Sequence, residues 1–291
     1  MSRPLIDLSK TIDEGIIEVC QAVSAVADTL GFPFYIVGAT ARDIILHKAY
    51  GIEPLRATRD IDFGIKVSTM REFARLKKAL VDTGHFQESR AAQRLIFSND
   101  LPVDIVPFGD VATEEDRIVW LPPNDDIELN ILGFEEAFEH ALLVRLSTNP
   151  LVDVKVASPA GWALLKIVSW HDRPFPERQK DATDLALILS NYLQTFDMDD
   201  LYENEAALIV AEDHELELVG ARLLGRDIQC LANHRSLTTV RDILNQETGS
   251  QEFYHLVSDM IPRSMAGESG QFSRHLLFLE KLYQGIMDET I

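Results

Sequence analysis

The stretch FYIVGATARDIILHKAYGIEPLRATRDIDFGIK, residues 34–66, decides how the front of this chain is expected to fold. The apolar run 34–37 predicts a strand, and Gly38-Ala39-Thr40 predicts a tight turn that leads into a helix. After a loop, a second predicted strand carries Asp60 and Asp62, separated by one apolar residue. Because successive strand residues point to opposite faces, we expect these two carboxylates to share one face.

A third acid follows on a later predicted strand. The segments 94–97 and 103–106 read as two strands around a hairpin turn at Asn99-Asp100, and Asp104 lies between apolar neighbours in the second strand. A carboxylate in such a strand needs a partner that offsets its desolvation. Three carboxylates on neighbouring strands do not all stay ionised at close range without a cation, and Mg²⁺ is the natural ion for oxygen ligands.

The turn at Gly38 predicts a phosphate contact. Glycine lets the backbone approach a phosphate at a helix N-terminus, where N–H groups and the helix dipole favour negative charge, and Thr40 is expected to add a hydroxyl donor. Each feature has an ordinary alternative, since Asp-x-Asp is common at strand ends and glycine is common in turns. Their order along the chain is what favours a metal-assisted phosphoryl or nucleotidyl transfer site.

Composition limits the class of protein. The chain has 291 residues, of which 46% are apolar, and this is enough for a globular core and two domains. A net charge of −20 disfavours sequence-independent binding of nucleic acid through a general basic surface. No apolar run approaches the roughly eighteen residues of a spanning helix, and the first residues lack a signal-peptide pattern. We therefore expect a cytoplasmic protein without membrane contact.

The chain reads as two parts. Residues 1–157 predict an α/β (α+β) core with a small mixed sheet, and residues 158–291 predict a helical C-terminal domain. Cys20 and Cys230 are far apart in apolar helical settings, which favours two buried thiols and no disulfide. Trp162 and Trp170 are expected in the helical core.

The second part carries its own charged pattern, LLKIVSWHDRPFPERQKDATDLALIL, residues 164–189. Lys166 either presents its ammonium group to a triphosphate or is an ordinary exposed lysine. Asp181 and Asp184, three residues apart, share a helix face near an N-terminus. They either stabilise that helix end, or orient Lys166 or Arg173, or take part in activating the nucleotide or the acceptor.

Taken in order, Gly38-Ala39-Thr40, Asp60-Ile61-Asp62 and Asp104 resemble the motifs of the DNA polymerase β-like nucleotidyltransferase superfamily. In that superfamily a Gly-Gly or Gly-Ser turn precedes a strand with two acids and a later strand with a third. Lys166 followed by the pair Asp181 and Asp184 is similar to the AbiEii/AbiGii toxin-like branch. Ala39 stands where the family has its second glycine or serine, and Gly38-x-x-x-Arg42-Asp43 is also similar to the turn of tRNA CCA-adding enzymes.

The resemblance implies a magnesium-dependent enzyme that moves a nucleoside monophosphate from an NTP to an acceptor. It makes Asp60, Asp62 and Asp104 the catalytic and metal-binding residues, and it makes 1–157 the catalytic core to which the helical domain contributes its charged pattern. The nucleotide-binding residues that it implies are Gly38, Ala39, Thr40, Arg42, Lys166, Arg173, Asp181 and Asp184.

The toxin branch implies an antitoxin partner and a tRNA or protein acceptor. Two alternatives stay open: a nucleotidyltransferase with a small-molecule acceptor, as among antibiotic-modifying relatives, and a catalytically inactive nucleotide-binding or partner-binding module. The intact trio of acids weighs against the inactive module.

Overall fold

A computed structural model describes residues 5–120, 128–249, 254–261 and 270–289. The chain divides into two compact units, Met1–Ser158 and Pro159–Ile291. Within the described ranges, no helix combines the length and the apolar character needed to cross a membrane.

The first unit is built on a mixed sheet of eight strands, in the order β1-β9-β10-β2-β3-β6-β5-β4, with a separate two-stranded sheet of β7 and β8. Strands β2 and β3 are antiparallel, whereas β3 and β6 are parallel. The strands are β1 (Ile6–Asp7), β2 (Phe34–Val37), β3 (Ile61–Lys66), β4 (Phe86–Glu88), β5 (Arg94–Phe97), β6 (Leu101–Phe108), β7 (Arg117–Val119), β8 (Glu128–Asn130), β9 (Leu142–Thr148) and β10 (Leu151–Val156).

Four α-helices accompany this sheet: α1 (Glu14–Leu30), α2 (Gly38–Arg42), α3 (Met70–Asp82) and α4 (Phe134–Glu139). Helix α1 ends at Gly31, which has a φ of 73° and lies in the left-handed region that glycine adopts easily. Helix α2 follows β2 directly and continues as a π-helical segment, Asp43–Ala49. Helix α3 begins after Thr69, whose side chain accepts a hydrogen bond from the backbone N–H of Glu72 and so caps the helix.

The alternation of side chains in β3 and β6 decides which residues reach the site. One face of the two strands is apolar and buried, and it carries Ile61, Phe63, Ile65, Val103 and Ile105. Residues between these point to the other face, so Asp62 and Asp104 lie opposite the apolar layer. Burial of the apolar face thus fixes the register of both acids, because a shift of one residue would bury them.

The second unit is helical: α5 (Pro159–Asp172), α6 (Gln179–Asn191), α7 (Met198–Asn204), α8 (Ala206–Ala211), α9 (Leu216–Leu231), α10 (His234–Thr248), α11 (His255–Met260) and α12 (Gln271–Met287). Helices α9 and α12 approach each other closely at two glycines. A Cβ at Gly225 would lie 2.2 Å from the Leu282 carbonyl oxygen, and one at Gly285 would lie 2.0 Å from that of Arg222. Trp162 and Trp170 are 2% and 3% exposed, which confirms their predicted core positions.

The mixed α/β core and the helical C-terminal part are as predicted, with two differences of detail. The sheet is larger than the expected small one, because short strands such as β1 and β4 extend it. Both cysteines are free thiols, but only Cys20 is buried, and the burial raises its pKa to about 12. Cys230 is exposed, so its predicted burial was wrong.

Candidate active site

Three carboxylates meet at one end of the β3–β6 pair. Asp62 and Asp104 are direct neighbours across the two parallel strands, and Asp60 lies just before β3. One oxygen from each of these residues lies within 4.8 Å of the others, and all three residues are partly exposed. The structure therefore brings together the three acids that the sequence singled out, on the face where a reactant can reach them.

Gly38 is the residue that makes room for Asp62. Val37 pairs with Asp62 across β2 and β3, so the turn that follows Val37 lies against the acid. Gly38 has a φ of 64°, and a Cβ placed on it would lie 2.0 Å from Oδ2 and 2.6 Å from Cγ of Asp62. Glycine is thus required here both for its backbone conformation and for the close approach of the carboxylate.

Arg94 is part of the cluster, and this position was not predicted from the sequence. Strands β5 and β6 place Arg94 opposite Asp104. Its Nε donates to Asp104 Oδ1 at 2.7 Å, and its Nη2 donates to Oδ2 at 2.8 Å and lies 3.4 Å from Asp60 Oδ2. The hydrogen bond to Asp104, with its negative charge, raises the pKa of the guanidinium. Arg94 is therefore the partner that the Asp104 carboxylate needs in its half-buried position.

Two threonines hold Asp60. The Thr58 hydroxyl donates to Asp60 Oδ1 at 2.7 Å and so orients the carboxylate. The Thr40 hydroxyl donates to the Asp60 main-chain oxygen at 2.8 Å, and Thr40 is 2% exposed. A buried hydroxyl that already donates its hydrogen has none left for a phosphate. In this structure Thr40 anchors the start of β3, so a phosphate contact, which stays a prediction, would require its hydroxyl to give up this hydrogen bond.

Arg42 is also a structural residue in this arrangement. It is 1% exposed, its Nε donates to Asp43 Oδ1 at 2.8 Å, and its Nη2 donates to the Arg56 carbonyl at 3.0 Å. These contacts tie helix α2 to the loop at 51–60. A contact of Arg42 with a triphosphate stays a prediction, and it would require this buried guanidinium to leave its present partners. Ala39 is half-buried at the turn, and its methyl side chain offers no polar atom.

A cavity of about 770 Å³ opens beside Asp60. Its size lies within the range of pockets for small molecules, roughly 300–1,000 Å³. Part of its wall is apolar, with Ile16, Ile44 and Leu101. Its charged lining residues are the carboxylates Asp13, Asp43, Asp60 and Asp100 and the cations Lys48 and Arg59, with His47 as a further titratable group.

In the helical unit, Lys166 and the predicted Asp pair form a buried network. Lys166 Nζ lies 2.8 Å from Asp181 Oδ1 and 2.8 Å from Asp184 Oδ2, and Arg173 Nη1 donates to Asp181 Oδ2 at 2.7 Å. Both aspartates are 1% exposed and Lys166 is 9% exposed, so Lys166 is not an ordinary exposed lysine. Asp181 orients both cations, and this contact agrees with the second of the interpretations given above.

The comparison with protein families gives one match. The model of a family described as "Nucleotidyl transferase AbiEii toxin, Type IV TA system" matches residues 22–266. This range contains the three carboxylates, Gly38, and the segment from Lys166 to Asp184. No curated protein matches the chain.

Three solved structures match the chain at low identity and low TM-score. The antibiotic-resistance factor ANT(2'')-Ia, studied in solution, is 13% identical with a TM-score of 0.34, over 70% of this chain and 100% of that one. A Thermotoga maritima CCA-adding enzyme complexed with tRNA is 12% identical with a TM-score of 0.27, over 98% and 86% of the two chains. A CCA-adding enzyme in apo form II is 15% identical with a TM-score of 0.33, over 95% and 84%.

Proposed function

Because the chain belongs to the AbiEii nucleotidyltransferase toxin family of type IV toxin–antitoxin systems, we propose that it moves a nucleoside monophosphate from an NTP to an acceptor at Asp60, Asp62 and Asp104 with the help of Mg²⁺. The observation that carries the proposal is the meeting of three carboxylates within 4.8 Å beside the Gly38 turn. Family membership makes the protein a nucleotidyltransferase with an NTP substrate and suggests an antitoxin partner.

The donor set fits magnesium. All three residues offer carboxylate oxygens, the hard ligands that Mg²⁺ prefers, and the oxygens are close enough to share one ion. The guanidinium of Arg94 already lies among them, so the cluster accommodates positive charge. We propose that Asp60 and Asp62 hold the metal and that Asp104 completes the site. When bound, the ion would neutralise charge on the phosphate oxygens and on the attacking oxygen.

The chain's own residues supply position and a proton acceptor. Thr58 fixes the Asp60 carboxylate, and the absence of a side chain at Gly38 lets Asp62 reach the same point. We assign to a carboxylate oxygen of Asp104 the task of taking the proton of the acceptor group as its oxygen attacks. In such a site most of the acceleration comes from positioning and charge neutralisation, so each carboxylate is expected to matter severely.

The helical unit carries a charged network of its own. Asp181 holds both Lys166 and Arg173, and Asp184 also pairs with Lys166, so two cations and two carboxylates balance within this unit. Their contact with the nucleotide stays a prediction, as does the cytoplasmic location.

The acceptor has two candidates. The resemblance to the toxin branch implies a tRNA or protein acceptor, and this stays a prediction. The cavity beside Asp60 favours a second candidate function, transfer to a small molecule, because its volume of about 770 Å³ suits such a ligand. Its four carboxylates and the net charge of −20 suit a cationic acceptor better than a polyanion.

Release of pyrophosphate tests the proposal. A cell extract is first desalted into a macromolecular and a small-molecule fraction. The purified protein is then incubated with each NTP, Mg²⁺ and one or the other fraction. We expect release that requires one of the fractions, and a fall of about 10²–10³-fold for Asp62→Ala. Equal release by Asp62→Ala would refute the assignment of the site. Retained α-label that is sensitive to ribonuclease identifies RNA, label sensitive to protease identifies protein, and label that passes a filter identifies a small acceptor.

A further inference from the structure

Arg94 differs from an ordinary cross-strand arginine in the number of acids that it faces. A matched pair exists on the same sheet, where Arg145 donates to Asp153 Oδ1 at 2.8 Å and to Oδ2 at 2.9 Å. Arg94 makes the same two-point contact with Asp104, but it also lies 3.4 Å from Asp60 and is attracted by Asp62. Arg145 is attracted by one further acid, Asp7, whereas Arg94 is attracted by two, Asp60 and Asp62, and so lies within a cluster of three carboxylates.

We propose that Arg94 is the resident counter-ion of the three carboxylates, and that it competes with the divalent cation for Asp104 and Asp60. The inference rests on the metal site of the proposed function. Three ionised carboxylates with oxygens within 4.8 Å repel one another unless a positive charge lies among them. Arg94 supplies one positive charge from within the chain, so the carboxylates keep their positions without a bound ion.

Competition follows from the geometry of the contact. Arg94 engages both oxygens of Asp104 and approaches Oδ2 of Asp60, so its charge stands where these two acids would face a metal. A divalent ion at the same acids would lie a few ångströms from the guanidinium, and like charges at that distance repel. By linkage, each of the two cations weakens the binding of the other by the same factor.

The side chain is able to leave. Arg94 is 33% exposed, and its guanidinium sits on a long flexible stem, so it can move into solvent without a change in the strands. Its departure frees both oxygens of Asp104. While Arg94 engages both oxygens of Asp104, neither oxygen is free to contact the acceptor group, so Arg94 must release Asp104 before that contact forms. Metal binding and readiness for catalysis are coupled through this one side chain.

Metal affinity provides the test, with the full chain and no substrate. Binding of Mn²⁺ is measured by electron paramagnetic resonance for the wild type, Arg94→Gln, Arg94→Lys and the matched control Arg145→Gln. We expect Arg94→Gln to bind at least about tenfold more tightly, because one positive charge has been removed beside a divalent ion. Arg94→Lys should bind less tightly than Arg94→Gln, and Arg145→Gln should bind like the wild type. Unchanged or weaker binding by Arg94→Gln overturns the inference.

Two further measurements keep the outcomes separate. The Mn²⁺ affinity of Asp62→Asn tests the metal site independently of Arg94. If this variant bound Mn²⁺ as tightly as the wild type, the metal site of the proposed function would be overturned, whatever the result for Arg94. A titration of the wild type with Mg²⁺, followed by nuclear magnetic resonance of the arginine Nε–H groups, needs no folded Arg94→Gln variant. The Arg94 signal is identified by its absence from the spectrum of Arg94→Lys, and its chemical shift should change as Mg²⁺ binds. A signal that stays in place while the metal binds would show that Arg94 remains on Asp104 and would overturn the competition.

Discussion

A comparison of Gly38→Ala with Gly84→Ala separates backbone strain from the placement of Asp62. An alanine at position 38 would hold its Cβ 2.0 Å from Oδ2, 2.6 Å from Cγ and 2.8 Å from Cβ of Asp62. Rotation of the carboxylate relieves the first two contacts but not the third, because the Cβ of Asp62 is fixed by the β3 backbone. We therefore expect both the carboxylate and the start of β3 to shift.

Two energies combine in this variant. A non-glycine residue in the left-handed region costs about 1–2 kcal/mol of stability, and the φ of 64° at Gly38 lies in that region. The contact with Asp62 adds to this cost and moves a metal ligand. Since loss of one positioned charged group costs about 10²–10³ in rate, we expect an activity close to that of Asp62→Ala.

Gly84 provides the matched control. Its φ is 79°, and nothing lies within 4 Å of the Cβ that an alanine would add. Gly84→Ala should therefore lose about 1–2 kcal/mol in urea unfolding and keep wild-type pyrophosphate release. Both variants are compared at a temperature where each is fully folded. If folded Gly38→Ala were as active as Gly84→Ala, the close approach of Gly38 and Asp62 would have no part in catalysis.

Three further predictions concern single carboxylates. Asp104→Asn should lower pyrophosphate release by about a hundredfold or more. Asp153→Asn also loses an arginine-paired carboxylate on the sheet, but it should keep wild-type release. Equal effects of the two variants would exclude a role for Asp104 as base. Asp181→Ala should lower the free energy of unfolding, measured in urea, by about 3–5 kcal/mol, because it leaves the buried Lys166 ammonium with one partner fewer. A loss below about 1 kcal/mol would contradict a buried network. Burial raises the pKa of Glu247 above its usual 4.5, so the folded protein binds this proton more tightly than the unfolded chain, and stability falls as pH rises through the raised pKa. Glu247→Gln should remove that fall, and unfolding free energies measured from pH 4 to pH 7 should show a flatter profile, whereas an unchanged slope would exclude Glu247 as its source.

The position of the three acids was predictable because burial constrains it. Each of β3 and β6 has apolar residues on one face, and a single register keeps Asp62 and Asp104 off that face. The glycine turn before the acids was predictable from chain order. What the sequence did not reveal was the distance of 2.0 Å between a Gly38 Cβ and Asp62, which depends on how β2 and β3 pair.

Arg94 was missed because of one residue in a turn. A two-residue turn at Asn99-Asp100 would pair Ser98 with Leu101 and thus Arg94 with Ile105. The observed connection is the three-residue turn Ser98–Asp100, which pairs Phe97 with Leu101 and Arg94 with Asp104. Since a shift of one residue moves a side chain to the other face of a sheet, the length of this turn decides whether Arg94 meets the acids.

The burial of Thr40 and Arg42 was not predicted from the sequence, for a tertiary reason. Both residues lie on α2, close to the turn, and their types suit a phosphate site. The structure buries them, because Thr40 bonds to the Asp60 backbone and Arg42 bonds to the backbone of the loop at 51–60. The path of an irregular loop has no periodic signal in the sequence, and strands as short as β1 and β4 have too few residues to show one.

The three carboxylates are proposed to catalyse transfer of a nucleoside monophosphate. An NTP labelled at both the α and γ phosphates shows which part of the nucleotide is transferred. The wild type and Asp62→Asn are incubated with Mg²⁺ and cell extract, and the label is followed into acceptor and pyrophosphate. We expect the wild type to place the α label on the acceptor and to release the γ label as pyrophosphate. We expect Asp62→Asn to do neither. Transfer of the γ label to the acceptor, or equal transfer by Asp62→Asn, would contradict the proposed role of the carboxylates.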